Sequence, residues 1–329
     1  MKDEFSFIRS ITPDVIQQRS LKIGIGDDAA VYESDSSLDQ VVCVDTMVEG
    51  IHFRKDTMEP VQIGRKALAI NISDLAAMGA TPRFYLTTIA VPPTWTEDHL
   101  REIYRGMSEL GKQFKMDLIG GDTVSIEQSL VITVTAIGTV ASGRAIKRTG
   151  ARKDDIVFVT GPIGGSAAGF DLLNERTKDG HFSSNELSYV KMHQEPMPQV
   201  KLGELFSQSN QRMSLNDISD GLSSESFEIA VASNVQVILN KAHIVNLSPQ
   251  LDVSLEKRVK WSLNGGEDFQ LVGTTSAEQY EVLQKQAKAI GFSLFPVGVV
   301  REGKPAVFLD DGDKELPLEM GGYNHFKRG

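Results

Sequence analysis

Six aspartates, Asp28, Asp45, Asp74, Asp122, Asp217 and Asp220, stand beside glycines or at the ends of short apolar runs, and they offer only hard oxygen ligands. Such a donor set suits Mg2+ better than zinc or copper, because Cys43 is the only cysteine and no histidines are paired at ligand spacing. Gathered in one cleft, these carboxylates would repel each other strongly. Several Mg2+ ions carrying a nucleoside triphosphate would relieve that repulsion and neutralise the phosphates together. ATP-dependent phosphoryl transfer is therefore the chemistry that the pattern predicts. A glycosidase would need only one carboxylate pair, and no Ser-His or Cys-His arrangement supports a covalent nucleophile.

The elements that must hold these side chains can be read from periodicity. Pro60 opens a predicted helix with Ile63, Ala67, Leu68 and Ile70 on its apolar face, and Gly79 followed by Pro82 ends it. Asp74 falls in the last turns of that helix. A buried carboxylate there faces the negative end of the helix dipole and needs a cation, whereas an exposed or salt-bridged aspartate needs nothing. Gly24–Val31 joins two glycines to Asp27 and Asp28. In extended backbone one of the pair faces a site and the other braces the turn, although a plain glycine turn reads the same way. Val41–Val44 predicts a fully buried strand ending at Asp45, and Leu118-Ile119 a second strand ending at Gly120-Gly121-Asp122. Strands are also expected over 84–91 and 131–140. Thr96 caps a helix whose face is Leu100, Ile103, Tyr104, Met107, Leu110 and Phe114. His52 reads either as a half-buried packing histidine or as a ligand contact.

A basic cluster, Arg144, Lys147 and Arg148, marks a domain boundary near Gly150, dividing the chain into 1–149 and 150–329. Beyond it, a strand over 156–160 leads into the small-residue segment Gly161–Gly169. This is a structural turn or a phosphate loop, but not a Walker A loop, since no lysine follows the glycines. Residues 174–198 read as an exposed connection. Asn216–Leu222 carries Asp217 and Asp220, which share a face if the turn is helical, and Asn264–Phe269 repeats the glycine-acid theme. Ser276 and Gln279 form a capping box, and 292–300 is a further strand. Ile-Ser-Asp followed by Gly-Gly-acid occurs twice at nearly the same separation, but the flanking residues do not match, so duplication is not inferred.

Length and composition bound these readings. A chain of 329 residues with 40% hydrophobic and 24% charged content is an α/β protein of the α+β type with two domains. The net charge of -10 argues against nucleic acid and against anionic membranes. No apolar run reaches a membrane span, and Met1-Lys2-Asp3-Glu4-Phe5 lacks a signal-peptide pattern, so a cytoplasmic location is expected. Residues 1–22 read as a short amphipathic arm.

Taken together, Gly-Ile-Gly-Asp-Asp-Ala-Ala, Val-Asp-Thr-Met-Val-Glu-Gly-Ile-His-Phe, Asn-Ile-Ser-Asp-Leu-Ala-Ala-Met-Gly-Ala, Gly-Gly-Asp-Thr, Asp-Ile-Ser-Asp-Gly-Leu and Gly-Gly-Glu-Asp-Phe closely resemble the thiamine-monophosphate kinase family. The match runs in order from about Phe5 to Phe326. Single motifs are shared with aminoimidazole ribonucleotide synthetase and selenophosphate synthetase, whereas Val-Glu-Gly-Ile-His-Phe and Gly-Tyr-Asn-His-Phe favour the thiamine enzymes. The resemblance implies a two-domain aminoimidazole ribonucleotide synthetase-like fold, with the N-terminal domain pairing strands across a homodimer. It implies a reaction between ATP and thiamine phosphate that gives thiamine diphosphate and ADP. By the family pattern the six aspartates hold Mg2+, with Asp74 shared between ions. Tyr104, Gly121, Asp122, Arg148 and Ser219 contact ATP, and His52, Glu267 and Tyr323 contact thiamine phosphate. A K+ requirement stays open. Cys43 and Val44 depart from the pattern, since relatives often carry hydroxyl ligands just before the strand aspartate. Two alternatives keep the motifs: a superfamily enzyme with another acceptor, and a nucleotide-binding regulator without turnover.

Overall fold

The computed structural model describes residues 11, 15–23, 31–32 and 34–319. The segment with Asp27 and Asp28, the tail with Tyr323 and most of the expected N-terminal arm therefore lie outside the described residues. In the first part of the chain the elements are β1 (Leu21–Ile23), β2 (Val31–Tyr32), β3 (Leu38–Val48), α1 (Pro60–Ala77), β4 (Thr81–Val91), α2 (Glu97–Phe114), β5 (Asp117–Ser125) and β6 (Val131–Ala141). β1 and β2 pair as a short ribbon, and the remaining strands form one sheet in the order β3-β6-β4-β5. Neighbours in that sheet are antiparallel except β4 and β5, which run parallel with α2 between them in the chain.

Strand register decides which side chains share a face. Asp45 pairs with Val134, Val134 with Thr87, and Thr87 with Gly121. Val134 and Thr87 are fully buried, and two residues before Asp45 the Cys43 thiol meets Asn71 of α1, so this row points under the helices. The adjacent row, Thr46, Thr133, Thr88 and Asp122, points the other way. Val42 and Val44 share that second face, 61% and 59% exposed. The apolar run Val41–Val44 is thus buried on one side only, which corrects the expectation of a fully buried strand. Asp45 and Asp122 also lie inside β3 and β5 rather than at their ends, because both strands continue to Val48 and Ser125.

α1 spans the expected residues, and Gly79, at φ +70°, provides the left-handed turn after it. α1 and α2 approach backbone to backbone. A Cβ on Gly64 would lie 1.8 Å from the Ile103 carbonyl oxygen, and one on Gly106 would lie 1.9 Å from that of Val61. Thr96 caps α2 as expected, accepting from the His99 amide, and the His99 ring replaces the usual acid of a capping box.

The second part contains β7 (Ile156–Val159), α3 (Gly165–Arg176), α4 (Ser184–Gln194), α5 (Val200–Gln208), β8 (Ser214–Asp217), α6 (Leu222–Ser233), β9 (Gln236–Asn240), α7 (Lys241–Leu247), α8 (Leu255–Asn264), β10 (Leu271–Thr275), α9 (Ala277–Ala289), β11 (Phe295–Arg301), β12 (Ala306–Asp310) and β13 (Glu315–Leu318). Its sheet has the order β13-β12-β9-β11-β7-β10-β8, antiparallel throughout except for β12 beside β9. Val159, Val237, Leu239, Val272 and Val297 fill one side of that sheet, with Leu222 and Ile229 of α6 packed onto them. The expected exposed connection over 174–198 is corrected. It contains α4, capped by Ser183 and Glu186, and buries Val190, His193 and Gln194; its polar composition belongs to the outer face of a helix. Among the described residues no helix is long and apolar enough to cross a membrane.

By contact the described residues fall into two units. One comprises those up to Leu75 with Ala80–Gly143 and Thr177–Asp179, and the other comprises Ala76–Gly79, Arg144–Arg176 and those from Gly180 onward. The glycine contacts between α1 and α2 carry a prediction. Gly106→Ala should destabilise the protein by about 1 to 3 kcal/mol through overpacking against backbone that cannot rotate away. Gly120→Ala, whose Cβ would make an ordinary 3.6 Å contact with Leu86, should leave stability nearly unchanged. Thermal unfolding followed by circular dichroism compares the two, and equal midpoints would remove the close helix contact as a constraint.

Candidate functional site

In the second unit two backbone segments are laced together. The Ile218 amide donates to the Gln270 carbonyl, the Phe269 amide to that of Ile218 and the Glu267 amide to that of Ser219. The chain can approach so closely because the residues between are small: a Cβ on Gly266 would lie 2.6 Å from the Ser219 carbonyl oxygen, and Gly221 turns at φ +99° against Leu263. Asp217 therefore ends β8, Ser219 and Asp220 lie in the turn before α6, and Glu267 stands beside them. The turn is a bend rather than a helical turn, so the three-residue spacing does not act through a helix face. Arg148 joins the same group, its Nε donating to Asn216 Oδ1 at 3.0 Å and its Nη1 to Glu228 at 3.3 Å.

Glu225, at the start of α6, belongs to this group and was not singled out by the sequence. It is 4% exposed, and it accepts from Asn216 Nδ2 at 2.5 Å, the Asp220 amide at 3.1 Å and Ser219 Oγ at 3.2 Å. Burial, followed by the charge of Asp217, pushes its carboxyl up to about 7. An acid in the first turn of a helix reads as an ordinary dipole partner, which hid it.

The N-terminus of α3 resolves the question left open for the Gly161–Gly169 segment. The Asp268 carboxylate accepts from the Gly164 amide at 2.5 Å and the Ser166 amide at 3.0 Å, so the chain's own carboxylate occupies the place an anion would take. The segment is a structural turn. Burial pushes Asp268 up to about 7, against the lowering effect of those amides. Next to it, the buried His193 Nδ1 lies 3.1 Å from Ser166 Oγ and 3.4 Å from Glu267 Oε2.

In the first unit Asp45 and Asp74 share a neighbour in Cys43. The thiol is held well above its ordinary range by burial, by the charges of Asp74 and Asp45 and by a hydrogen bond to Asp74. Val44, the other departure from the family pattern, points to the exposed face. His52 Nδ1 accepts from the Val48 amide at 3.0 Å, which puts the proton of a neutral ring on Nε2. Glu49 holds the same loop by accepting from Trp95 Nε1 and the Leu130 amide. Tyr104 is 6% exposed, and its hydroxyl meets Thr123. Gly121 is required by close strand approach, since a Cβ there would lie 2.1 Å from the Thr87 carbonyl oxygen.

The structure thus brings Arg148, Asp217, Ser219, Asp220 and Glu267 together, and Asp45 with Asp74 around Cys43. It sets Asp122 on the sheet face opposite Asp45. Among the described residues no three His, Cys, Asp or Glu side chains are grouped as a metal site.

A family profile described as "AIR synthase related protein, N-terminal domain" matches residues 26–140. Over 328 residues, 99% of this chain and 100% of the relative, the chain is 47% identical to the thiamine-monophosphate kinase of Bacillus subtilis (strain 168). The chain belongs to the thiamine-monophosphate kinase family. It is 33% identical to the Escherichia coli (strain K12) member, with 98% of each chain covered. The crystal structure of the family member from Stenotrophomonas maltophilia K279a is 30% identical, with a TM-score of 0.81 over 93% of this chain and 95% of that one. The structure of "AaThiL complexed with AMPPCP and TMP" is 26% identical, with a TM-score of 0.73 over 98% of this chain and 97% of that one. A likeness of fold alone extends to the hydrogenase maturation protein HypE, 16% identical with a TM-score of 0.75.

The Asp268 contact carries a prediction with a definite sign. The folded carboxyl, at about 7, binds its proton more tightly than the ordinary 3.8 of an unfolded chain, so this group's contribution to stability is lost as pH rises from about 4 through 7. Asp268→Asn should flatten the fall of the unfolding midpoint over that window, by on the order of a few kcal/mol in total. Denaturant melts at pH 5 and pH 8 read the difference, and parallel slopes in both proteins would show that Asp268 titrates normally.

Proposed function

We propose that this chain transfers the terminal phosphoryl group of ATP to the phosphate of thiamine phosphate, giving thiamine diphosphate and ADP. The observation that carries the reading is the meeting of Arg148, Asp217, Ser219, Asp220 and Glu267 at one strand end, all of them residues that the family pattern assigns to nucleotide, metal or acceptor. The full-length 47% identity to the B. subtilis kinase and the neighbour complexed with AMPPCP and TMP, read as an ATP analogue and thiamine phosphate, support it.

The donor set fits Mg2+. Asp45 with Asp74, and Asp217 with Asp220, offer carboxylate oxygens only, and after burial their charges add to the raising of Cys43 and Glu225. Mg2+ is ordinarily held by one or two carboxylates together with substrate phosphates, so these pairs would hold it, with Asp28 as a further ligand and Asp122, on the other face of the first sheet, serving a separate ion. Bound there, the ions would neutralise the triphosphate. Arg148 would add a fixed cation beside the phosphates, Ser219 a hydroxyl and Gly121 a backbone approach, with Tyr104 and Asp122 near the nucleotide. His52, Glu267 and Tyr323 would orient the acceptor. Its phosphate is already an anion at pH 7, so an oxygen of thiamine phosphate attacks the terminal phosphorus without a general base while the bridging oxygen leaves on ADP. No side chain here is needed as a covalent carrier. A K+ ion could share the nucleotide's charge, and titration of activity with KCl decides that.

The open face of the first sheet, with Val42, Val44 and the 45% exposed Val124, is the surface we assign to a homodimer. Val44→Asp should yield monomers in analytical ultracentrifugation, and an unchanged mass would move the interface elsewhere. Asp74→Asn removes a charge with almost no change in volume. It should abolish ADP release with thiamine phosphate while leaving the circular dichroism spectrum and melting curve intact. Near-parental turnover in that folded variant would remove Asp74 from the site. Formylglycinamidine ribonucleotide and selenide serve as competing acceptors in the same assay, and ADP release with either in preference to thiamine phosphate would overturn the acceptor.

A further inference from the structure

One hydrogen-bond relay in the second unit has its polarity fixed at both ends. A guanidinium only donates, so Asn216 must turn Oδ1 toward Arg148 Nε, 3.0 Å away, and must therefore turn Nδ2 toward Glu225 Oε2, 2.5 Å away. At the far end the Asp220 amide also only donates, to Glu225 Oε1 at 3.1 Å, with Ser219 Oγ at 3.2 Å on the same oxygen. Between two obligate donors the middle of the relay must supply one donor and three acceptors, which is what an asparagine and a carboxylate offer together. Asn216 and Glu225 are 3% and 4% exposed, so water does not readily replace a lost partner.

We infer that Glu225 is a positioning residue that sets Arg148, Ser219 and Asp220 in their places relative to one another through Asn216, and so tunes the binding of the magnesium-bound triphosphate. The inference rests on the reading of this site as a nucleotide site. Glu225 itself is almost fully buried, and it acts through the groups it holds. Its two oxygens tie the start of α6 to Asn216 in β8 and to the turn that carries Ser219 and Asp220, and through Asn216 to Arg148.

The relay predicts a particular rescue. In Glu225→Gln one acceptor becomes a donor, so either Asn216 or the Asp220 amide loses its partner, and flipping Asn216 only moves the conflict to Arg148. In Asn216→Asp two carboxylates face each other across the shortest bond of the relay. Combining Asn216→Asp with Glu225→Gln restores every bond with its polarity reversed at one link: the new aspartate accepts from Arg148 and from the glutamine amide, and the glutamine oxygen accepts from Asp220. The charge of the pair is unchanged. A merely structural role for Glu225 would show the same rescue in the unfolding midpoint but leave the AMPPCP affinity of the folded single variants at the parental value.

Calorimetry with Mg2+ and AMPPCP, alongside steady-state kinetics, tests it on the full chain. Each single variant should bind AMPPCP about tenfold more weakly, as expected for one buried charge-assisted hydrogen bond, and the double variant should return to within about threefold of the parent. KM for ATP should follow the same pattern while KM for thiamine phosphate changes less than about twofold. Glu228→Gln, which removes only the exposed contact to Arg148, should have little effect. A double variant no better than the weaker single, or a Glu225→Gln protein with parental affinity, overturns the inference. If a single variant does not fold, a folded double with parental affinity is the rescue, and a double that also fails to fold overturns it. A parent that binds AMPPCP but leaves thiamine phosphate unchanged would overturn the acceptor reading alone, because the four binding constants still decide the role of Glu225. A parent that binds no nucleotide overturns both.

Discussion

Carboxylates held close together away from water repel each other, and a fold that keeps them must supply protons or cations. In the second unit Asp217 and Glu225 are both almost fully buried, and burial, followed by the charge of Asp217, pushes the Glu225 carboxyl up to about 7. In the first unit the charges of Asp74 and Asp45 bear on the Cys43 thiol in the same way. Against these carboxylates stands Arg148, a half-exposed guanidinium hydrogen-bonded to Asn216 and Glu228. The proposed Mg2+ ions and nucleotide fit that imbalance, and the proposed chemistry follows from it: charge neutralisation and alignment rather than a nucleophile or a base.

Holding such groups in place falls to backbone rather than to side-chain packing. Ser219 and Ile218 accept from the amides of Glu267 and Phe269, and glycines at 221 and 266 allow the two turns to meet at main-chain distance. Gly121 does the same where β5 lies against Thr87. The one helix N-terminus that looked ready for a phosphate, that of α3, is closed by Asp268, so the glycine-rich segment there serves the fold.

Much of this was legible in one dimension. Pro60, Gly79, Thr96 and the apolar spacing between them define α1 and α2 because capping, helix period and left-handed glycine are local properties. The aspartate and glycine motifs identified the family for a related reason, since a residue type tied to a backbone geometry leaves a short, fixed spacing. Local composition misled in two places. The run Val41–Val44 looked buried on both faces although among the described residues β3 is covered on only one, and the polar stretch 174–198 looked like a loop although it holds α4.

What the sequence determined by itself was the set of chemical groups, the helices and strands that carry them, and the class of ion they suit. Which of those groups meet was decided by the tertiary structure. Register sent Asp45 beneath the helices and Asp122 to the opposite face, although both sit in strands with similar signals. Pairing of 218–219 with 267–269 brought Glu267 to Ser219 and Asp220, and burial turned Glu225 from an unremarked helix residue into the hub of a relay. The physical reason is that spacing along a chain encodes local geometry, whereas pleat parity, hydrogen-bond polarity and desolvation exist only once distant segments are in contact.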